Sequence, residues 1–260
     1  MVKGLETFRK AMQPYKEHFV IIGGTACDIR LTGTMMTPRA TDDIDIIVVV
    51  DRLTEDYVRA IWQFIKAGNY KAGKRISQQG QSIYALYRFT LQDNSLDYPK
   101  QIEILSRHSD LLGEPSGFHI EPISTDEEHN SLSAIIMDDD FYDFTIHQAN
   151  DEDGLMVASN LALIMLKMNA YLNLLADKAA GHRVDSDDIN KHRSDVLKLV
   201  AAGIYSEPVK VKAKFISVLN DFLSEAQQHK QSLKDALGAT SEQIDAYLDI
   251  LRNEIFVEEA

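Results

Sequence analysis

The sequence predicts an α/β (α+β) chain, with a mixed sheet flanked by helices in its first half and an all-helical second half. Three observations lead there. Short β-branched runs at His18–Ile22, Ile44–Val50, Ser82–Leu91 and Gln101–Arg107 are separated by polar or helical stretches. A double glycine, Gly23-Gly24, closes the first of these runs. From Leu155 onward the apolar residues recur at helical spacing and strand signals almost vanish.

A chain of 260 residues with 45% hydrophobic side chains can bury a substantial core. Two domains are expected, 1–150 carrying the sheet and 151–260 carrying the helices, with the boundary near Asn150-Asp-Glu-Asp-Gly154. The net charge of −13 repels polyanions, which argues against indiscriminate coating of DNA or RNA. A single cysteine, Cys27, excludes an intramolecular disulfide and any zinc site built from several thiolates. The first residues lack the apolar core of a signal peptide, and the longest apolar stretch is broken by Lys167 and several Asn residues. A cytoplasmic protein without membrane contact is the expectation.

Taken in order, residues 3–15 place Leu5, Phe8, Met12 and Tyr15 on one face of an amphipathic helix. The run ending in Gly23-Gly24 reads as a strand, a tight turn and the N-terminus of a helix over Thr25–Leu31. A polar linker with Gly33 and Pro38 leads into Ile44–Val50, apolar on both faces beyond Asp45 and therefore a central strand. Leu53–Ala67 has helical periodicity, and two strands follow at Ser82–Leu91 and Gln101–Arg107 across the loop DNSLDYPK. A further strand pair is expected at Ser133–Met137 and Phe141–Ile146, joined by a charged hairpin turn at Asp138–Asp140. Helices are expected over Val157–Ala180, Ser186–Ala202, Val209–Gln227 and Ser241–Val257.

The chemistry concentrates in the first half. In an extended strand Asp43 and Asp45 project the same way while Ile44 and Ile46 enter the core. Glu103 sits between Ile102 and Ile104, where a carboxylate is expensive unless a cation or a partner neutralises it. If that strand lies beside the Asp43–Asp45 strand, three carboxylates converge on a space suited to hard divalent cations, Mg²⁺ or Mn²⁺. Two such ions would activate an attacking oxygen and steady a pyrophosphate leaving group. Without side chains at Gly23 and Gly24, backbone N–H groups at a helix N-terminus can approach a triphosphate, helped by the Thr25 hydroxyl.

Gly23-Gly24-Thr25-Ala26, then Arg39-x-Thr41-x-Asp43-Ile-Asp45, then Glu103 on a later strand, resembles the DNA polymerase beta-like nucleotidyltransferase superfamily. Within it the sequence is most similar to the AbiEii/AbiGii toxin-like nucleotidyltransferases. That resemblance implies a nucleotidyltransferase domain over 1–150 and a metal-dependent enzyme that moves a nucleoside monophosphate from an NTP to an acceptor. It implies a toxin of a toxin–antitoxin or abortive-infection system, acting on tRNA or protein, with an antitoxin as partner. Asp43, Asp45 and Glu103 would be both catalytic and metal-binding. Lys167 matches a nucleotide-facing lysine on the first C-terminal helix, and Lys191 and Asp195 match the last motif.

Blander readings stand beside these. Arg39 and Thr41 either orient substrate, brace the carboxylates, or are an ordinary loop arginine and a threonine opening a strand. Lys167 either snorkels to water or meets an anion. Lys191 and Asp195, four apart on one helix face, also read as a solvated pair. The scattered histidines show no metal-ligand spacing. A tRNA acceptor would need Lys167, Lys191, Arg193 and Lys198 to line one cleft. The alternatives to a toxin are an enzyme modifying small molecules such as aminoglycosides and a non-catalytic nucleotide-binding protein.

Overall fold

The computed structural model describes residues 2–79, 82–93, 97–107, 112–113, 120–122 and 138–259, and two compact units are distinguished within it. One comprises described residues of 1–29, 38–122 and 138–159; the other comprises 30–37 and 160–259. The architecture is mixed α/β, with an eight-stranded sheet in the first unit and a largely helical second unit.

In the first unit the amphipathic α1 (Leu5–Met12) buries Leu5, Phe8 and Met12, as their spacing requires. β1 (Phe19–Ile22) is buried throughout and runs directly into α2 (Gly23–Leu31). β2 (Asp43–Val48) lies antiparallel to β1. α3 (Glu55–Ala67) begins at Thr54, whose hydroxyl accepts from Tyr57 N, and buries Tyr57, Ile61, Trp62, Phe64 and Ile65. β3 (Tyr70–Gln79) and β4 (Ser82–Leu91) form a long antiparallel ladder, and β5 (Gln101–Ser106) pairs antiparallel with β4 and parallel with β2. β6 (Ile120–Pro122) lies beside β3. α4 (Asp139–His147) precedes the hairpin of β7 (Ala149–Glu152) and β8 (Leu155–Ala158), and β8 joins β1 in parallel. The strand order is β6-β3-β4-β5-β2-β1-β8-β7.

Cross-strand partners share a sheet face. One face carries Phe19, Ile21, Ile44, Ile46, Ile102, Ile104, Tyr87 and Phe89, all essentially inaccessible to water. Aromatic side chains from α1 and α3 meet that face: Phe8 stands edge-on to Phe19 and Phe64 with ring centroids 5.7 and 5.6 Å apart, and Trp62 edge-on to Phe89 at 5.6 Å. Such pairs add about 0.5–1.5 kcal/mol beyond area burial. Asp43, Asp45 and Glu103 lie on the opposite face, which also buries Val20, Ile22, Ile47 and Leu105.

The second unit contains α5 (Asn160–Ala179), α6 (Ser186–Ala202), α7 (Ala213–Gln228), α8 (Lys230–Leu237) and α9 (Ser241–Ile250). A parallel pair, β9 (Val209–Val211) and β10 (Phe256–Glu258), closes it. No helix of the described residues is long and apolar enough to cross a membrane.

Several expectations are corrected. Phe141–Ile146 is helical: Asp138 caps α4 by accepting from Asp140 N and Phe141 N, and Asp139 and Asp140 face the positive end of the helix dipole. The acidic triplet is a helix start, and the expected strand at Ser133–Met137 lies outside the described residues. The segment Asn150–Gly154, where the boundary is expected, forms a hairpin. Asp153 and Gly154 have φ of 51° and 82°, the positive values at both central residues that a type I′ turn demands. The strand β8 that follows shows that residues beyond Leu155 are not all helical. β3 escaped notice because Lys71, Lys74, Arg75, Gln78 and Gln79 dilute its β signal, and its pairing with β4 supplies what local propensity lacks.

The cap at Asp138 yields a direct expectation. Asp138→Ala should lower stability by about 1 kcal/mol, read as a shift in the denaturant midpoint with unchanged slope. No loss would favour the hairpin reading of that triplet.

Candidate active site

The site is built where β1, α2, β2 and β5 meet. Along β2 the residues alternate as the strand period requires: Asp43 and Asp45 are half-buried, while Ile44 and Ile46 are fully buried. β5 repeats the pattern, with Gln101 and Glu103 half-buried and Ile102 and Ile104 buried. The parallel register sets Asp43 beside Gln101 and Asp45 beside Glu103, so the three carboxylates project from one face.

Both glycines are explained by what packs against them. Gly23 has a φ of +67°, and a Cβ there would collide with Asp45 Oδ2 and stand 2.9 Å from its Cγ. At Gly24 a Cβ would lie 2.7 Å from Arg39 Nη2 and 2.9 Å from Thr41 Oγ1. The turn thus leaves room for side chains of the Arg39–Asp45 segment to close over it. Thr25 is fully buried, and its hydroxyl donates to the carbonyl of Asp43. It ties the start of α2 to the start of β2. Gly23, Gly24, Thr25, Arg39, Thr41, Asp43, Asp45 and Glu103 therefore belong to one constellation.

Glu103 has a partner that its sequence neighbourhood did not reveal. Arg88 on β4 is its cross-strand partner, and Arg88 Nε donates to Glu103 Oε1 at 2.7 Å. Gln101 Nε2 donates to the same oxygen at 3.2 Å. The cost of a carboxylate in an apolar strand is met here by a charge-assisted hydrogen bond. A signal did exist: Thr90 pairs with Gln101 and Arg88 with Glu103, positions equidistant from the loop joining β4 to β5. Opposite charges at equivalent places around a loop point to a cross-strand pair.

Asp43 and Asp45 offer the hard oxygen donors that Mg²⁺ or Mn²⁺ prefers. Among the described residues, however, no three His, Cys, Asp or Glu side chains are gathered as a metal ion would need. Of the three carboxylates in register, that of Glu103 is turned onto Arg88 and Gln101.

The remaining candidates lie in the helical unit. Lys167 and Asp195, each about 1% exposed, form an ion pair there with Nζ 2.9 Å from Oδ2. Of the two readings of Lys167, the lysine meets an anion, and the anion is Asp195. Removing one partner of such a buried pair costs roughly 3–5 kcal/mol. Lys191 pairs with Asp188, not with Asp195 four residues on. Arg193 is also buried, donating to Asn190 Oδ1 and Ser232 Oγ, while Lys198 Nζ reaches the carbonyl of Thr37. With Lys167 and Arg193 both engaged inside the unit, these four residues do not line an open basic cleft.

No family profile matches the chain, and no curated protein matches it in sequence. Among solved structures it is similar to the crystal structure of the Megavirus polyadenylate synthase, at 12% identity and a TM-score of 0.36. The match covers 98% of this chain and 48% of that one, so the chain spans about half the length of the viral protein. A likeness of this extent says nothing about chemistry, which rests on the side chains described above.

The contact between Gly23 and Asp45 can be tested by stability. Gly33 also has a positive φ, +80°, and open space for 4 Å around the place a Cβ would take. Gly33→Ala should therefore cost only the left-handed conformation, about 1–2 kcal/mol. Gly23→Ala should cost more, because the Asp45 carboxylate must also move. Equal losses in thermal unfolding would contradict the packing of Asp45 on the turn.

Proposed function

We propose that the chain is a metal-dependent nucleotidyltransferase that moves a nucleoside monophosphate from an NTP to an acceptor and releases pyrophosphate. The observation that carries this reading is the packing of a glycine turn at a helix N-terminus against two carboxylates on alternate positions of a central strand. That arrangement offers N–H donors for phosphate oxygens and hard ligands for a cation at one place. The sequence resemblance to polymerase beta-like nucleotidyltransferases supports it.

Asp43 and Asp45 would hold Mg²⁺ or Mn²⁺, with Glu103 as the third ligand once it turns from Arg88. Bound there, the ions would neutralise the triphosphate and favour departure of pyrophosphate. The backbone at Gly23 and Gly24 would cradle the triphosphate, and Arg39, close against Gly24, would pair with one of its oxygens. Thr25 and Thr41 would hold the turn and the Asp43–Asp45 strand in place. The acceptor hydroxyl gives up its proton to water as its oxygen attacks the α-phosphorus, the bond from that phosphorus to the bridging oxygen breaks, and pyrophosphate departs. Positioning and charge neutralisation would supply most of the rate.

Of the acceptors that the sequence leaves open, a protein side chain or a small molecule fits better than tRNA. The net charge is −13, and Lys167 and Arg193 are committed inside the helical unit. A toxin role with an antitoxin partner rests on the resemblance alone.

Incubating the protein with each labelled NTP, Mg²⁺ or Mn²⁺, and separate protein, RNA and small-molecule acceptors tests the reading. Label should pass to an acceptor with the parent chain and not with Asp43→Ala/Asp45→Ala. Equal labelling by the double variant, or failure of the parent to bind any nucleotide, would overturn it.

A further inference from the structure

We propose that Arg88 is a positioning residue of the site: its guanidinium is a built-in counter-ion that holds Glu103 and competes with a divalent cation for that carboxylate. The inference rests on the metal-binding reading above and adds to it a control on when the third ligand becomes available.

Across four adjacent strands, Gly73, Arg88, Glu103 and Asp45 are successive cross-strand partners. They therefore form one row on the face that carries the carboxylates. Asp45 and Glu103 stand on neighbouring strands, about 4.8 Å apart, so two like charges would repel across that gap. Arg88 flanks Glu103 on the side away from Asp45. Its Nε donates to Glu103 Oε1 at 2.7 Å, and Gln101 Nε2 donates to the same oxygen at 3.2 Å.

Both side chains of the pair are largely shielded, at 21% exposed for Arg88 and 12% for Glu103, so water screens their attraction only in part. A divalent ion entering beside Asp43 and Asp45 meets a third carboxylate already matched in charge. To gain Glu103, the ion must displace the guanidinium from Oε1. Arg88 thereby sets how tightly the site takes a cation before substrate arrives.

The test is Mn²⁺ binding without nucleotide, followed by electron paramagnetic resonance, in the parent chain, Arg88→Gln, Arg88→Lys and Arg88→Gln/Glu103→Gln. Glutamine keeps a donor for Glu103 and removes the charge. Arg88→Gln should bind Mn²⁺ about tenfold more tightly, the scale set by one partly screened unit charge a few ångströms away. Arg88→Lys keeps the charge and should return the affinity to that of the parent. The double variant should lose the gain, because the gain acts through Glu103.

A purely structural arginine would change the melting temperature of Arg88→Gln without changing Mn²⁺ affinity, and that result would overturn the inference while leaving the metal reading intact. Absence of Mn²⁺ binding by every chain would remove the metal reading itself. Should Arg88→Gln not fold, Glu103→Gln in the parent background decides the matter. Its Mn²⁺ affinity should fall by about tenfold at most, the scale of one partly screened charge, because Glu103 is already occupied by Arg88. A loss as large as that of Asp45→Ala would show Glu103 to be a full ligand and overturn the competition.

Discussion

The contact on which the rest of the site depends is that of the Asp45 carboxylate with the bare α-carbon of Gly23. The left-handed φ of Gly23 turns β1 sharply into α2, and the missing side chain lets β2 bring Asp45 against the turn. Gly24 receives Arg39 and Thr41 in the same way, and the Thr25 hydroxyl fastens the carbonyl of Asp43. A loop that departs from α2 is thereby returned to it with its functional side chains in place. Once β2 is fixed, its parallel register with β5 decides that Glu103 stands beside Asp45.

The two faces of the sheet divide the work. Ile44, Ile46, Ile102 and Ile104 are buried on the face that α1 and α3 cover with aromatic side chains, and this packing fixes the strands rigidly. A shift of either strand by one residue would turn its acids onto the face covered by aromatic side chains, so the hydrophobic pattern specifies the register that aligns the carboxylates. Charge is managed locally. Arg88 answers Glu103 on the sheet, and Asp195 answers Lys167 inside the helical unit. Each of these charges, expensive to bury alone, is paired.

Much of this was legible in the sequence, for identifiable reasons. The alternation Asp43-Ile44-Asp45-Ile46 and its echo Gln101-Ile102-Glu103-Ile104 fix which side chains share a face without knowledge of the fold. The double glycine after a β-branched run announced the turn. What escaped depends on partners distant in sequence or on weak local signals. Arg88 matters only once β4 and β5 are in register, and Lys167 meets Asp195 only once two helices pack. β3 is a strand because β4 extends it, against its own polar composition. The misreading of Asp138–Asp140 is different in kind. Aspartate favours both turns and helix starts, and the buried Phe141, Tyr142 and Thr145 at helical spacing were the deciding signal.

The central claim is that phosphate and metal meet at the Gly23-Gly24 turn beside Asp43 and Asp45. Its most direct test is a crystal structure of the protein grown with Mn²⁺ and a non-hydrolysable NTP analogue, with anomalous scattering used to locate manganese. An anomalous peak at the Asp43 and Asp45 carboxylates, with the triphosphate resting on the glycine turn, is the predicted result. A triphosphate bound elsewhere, or manganese absent from those two carboxylates while nucleotide is present, would contradict it.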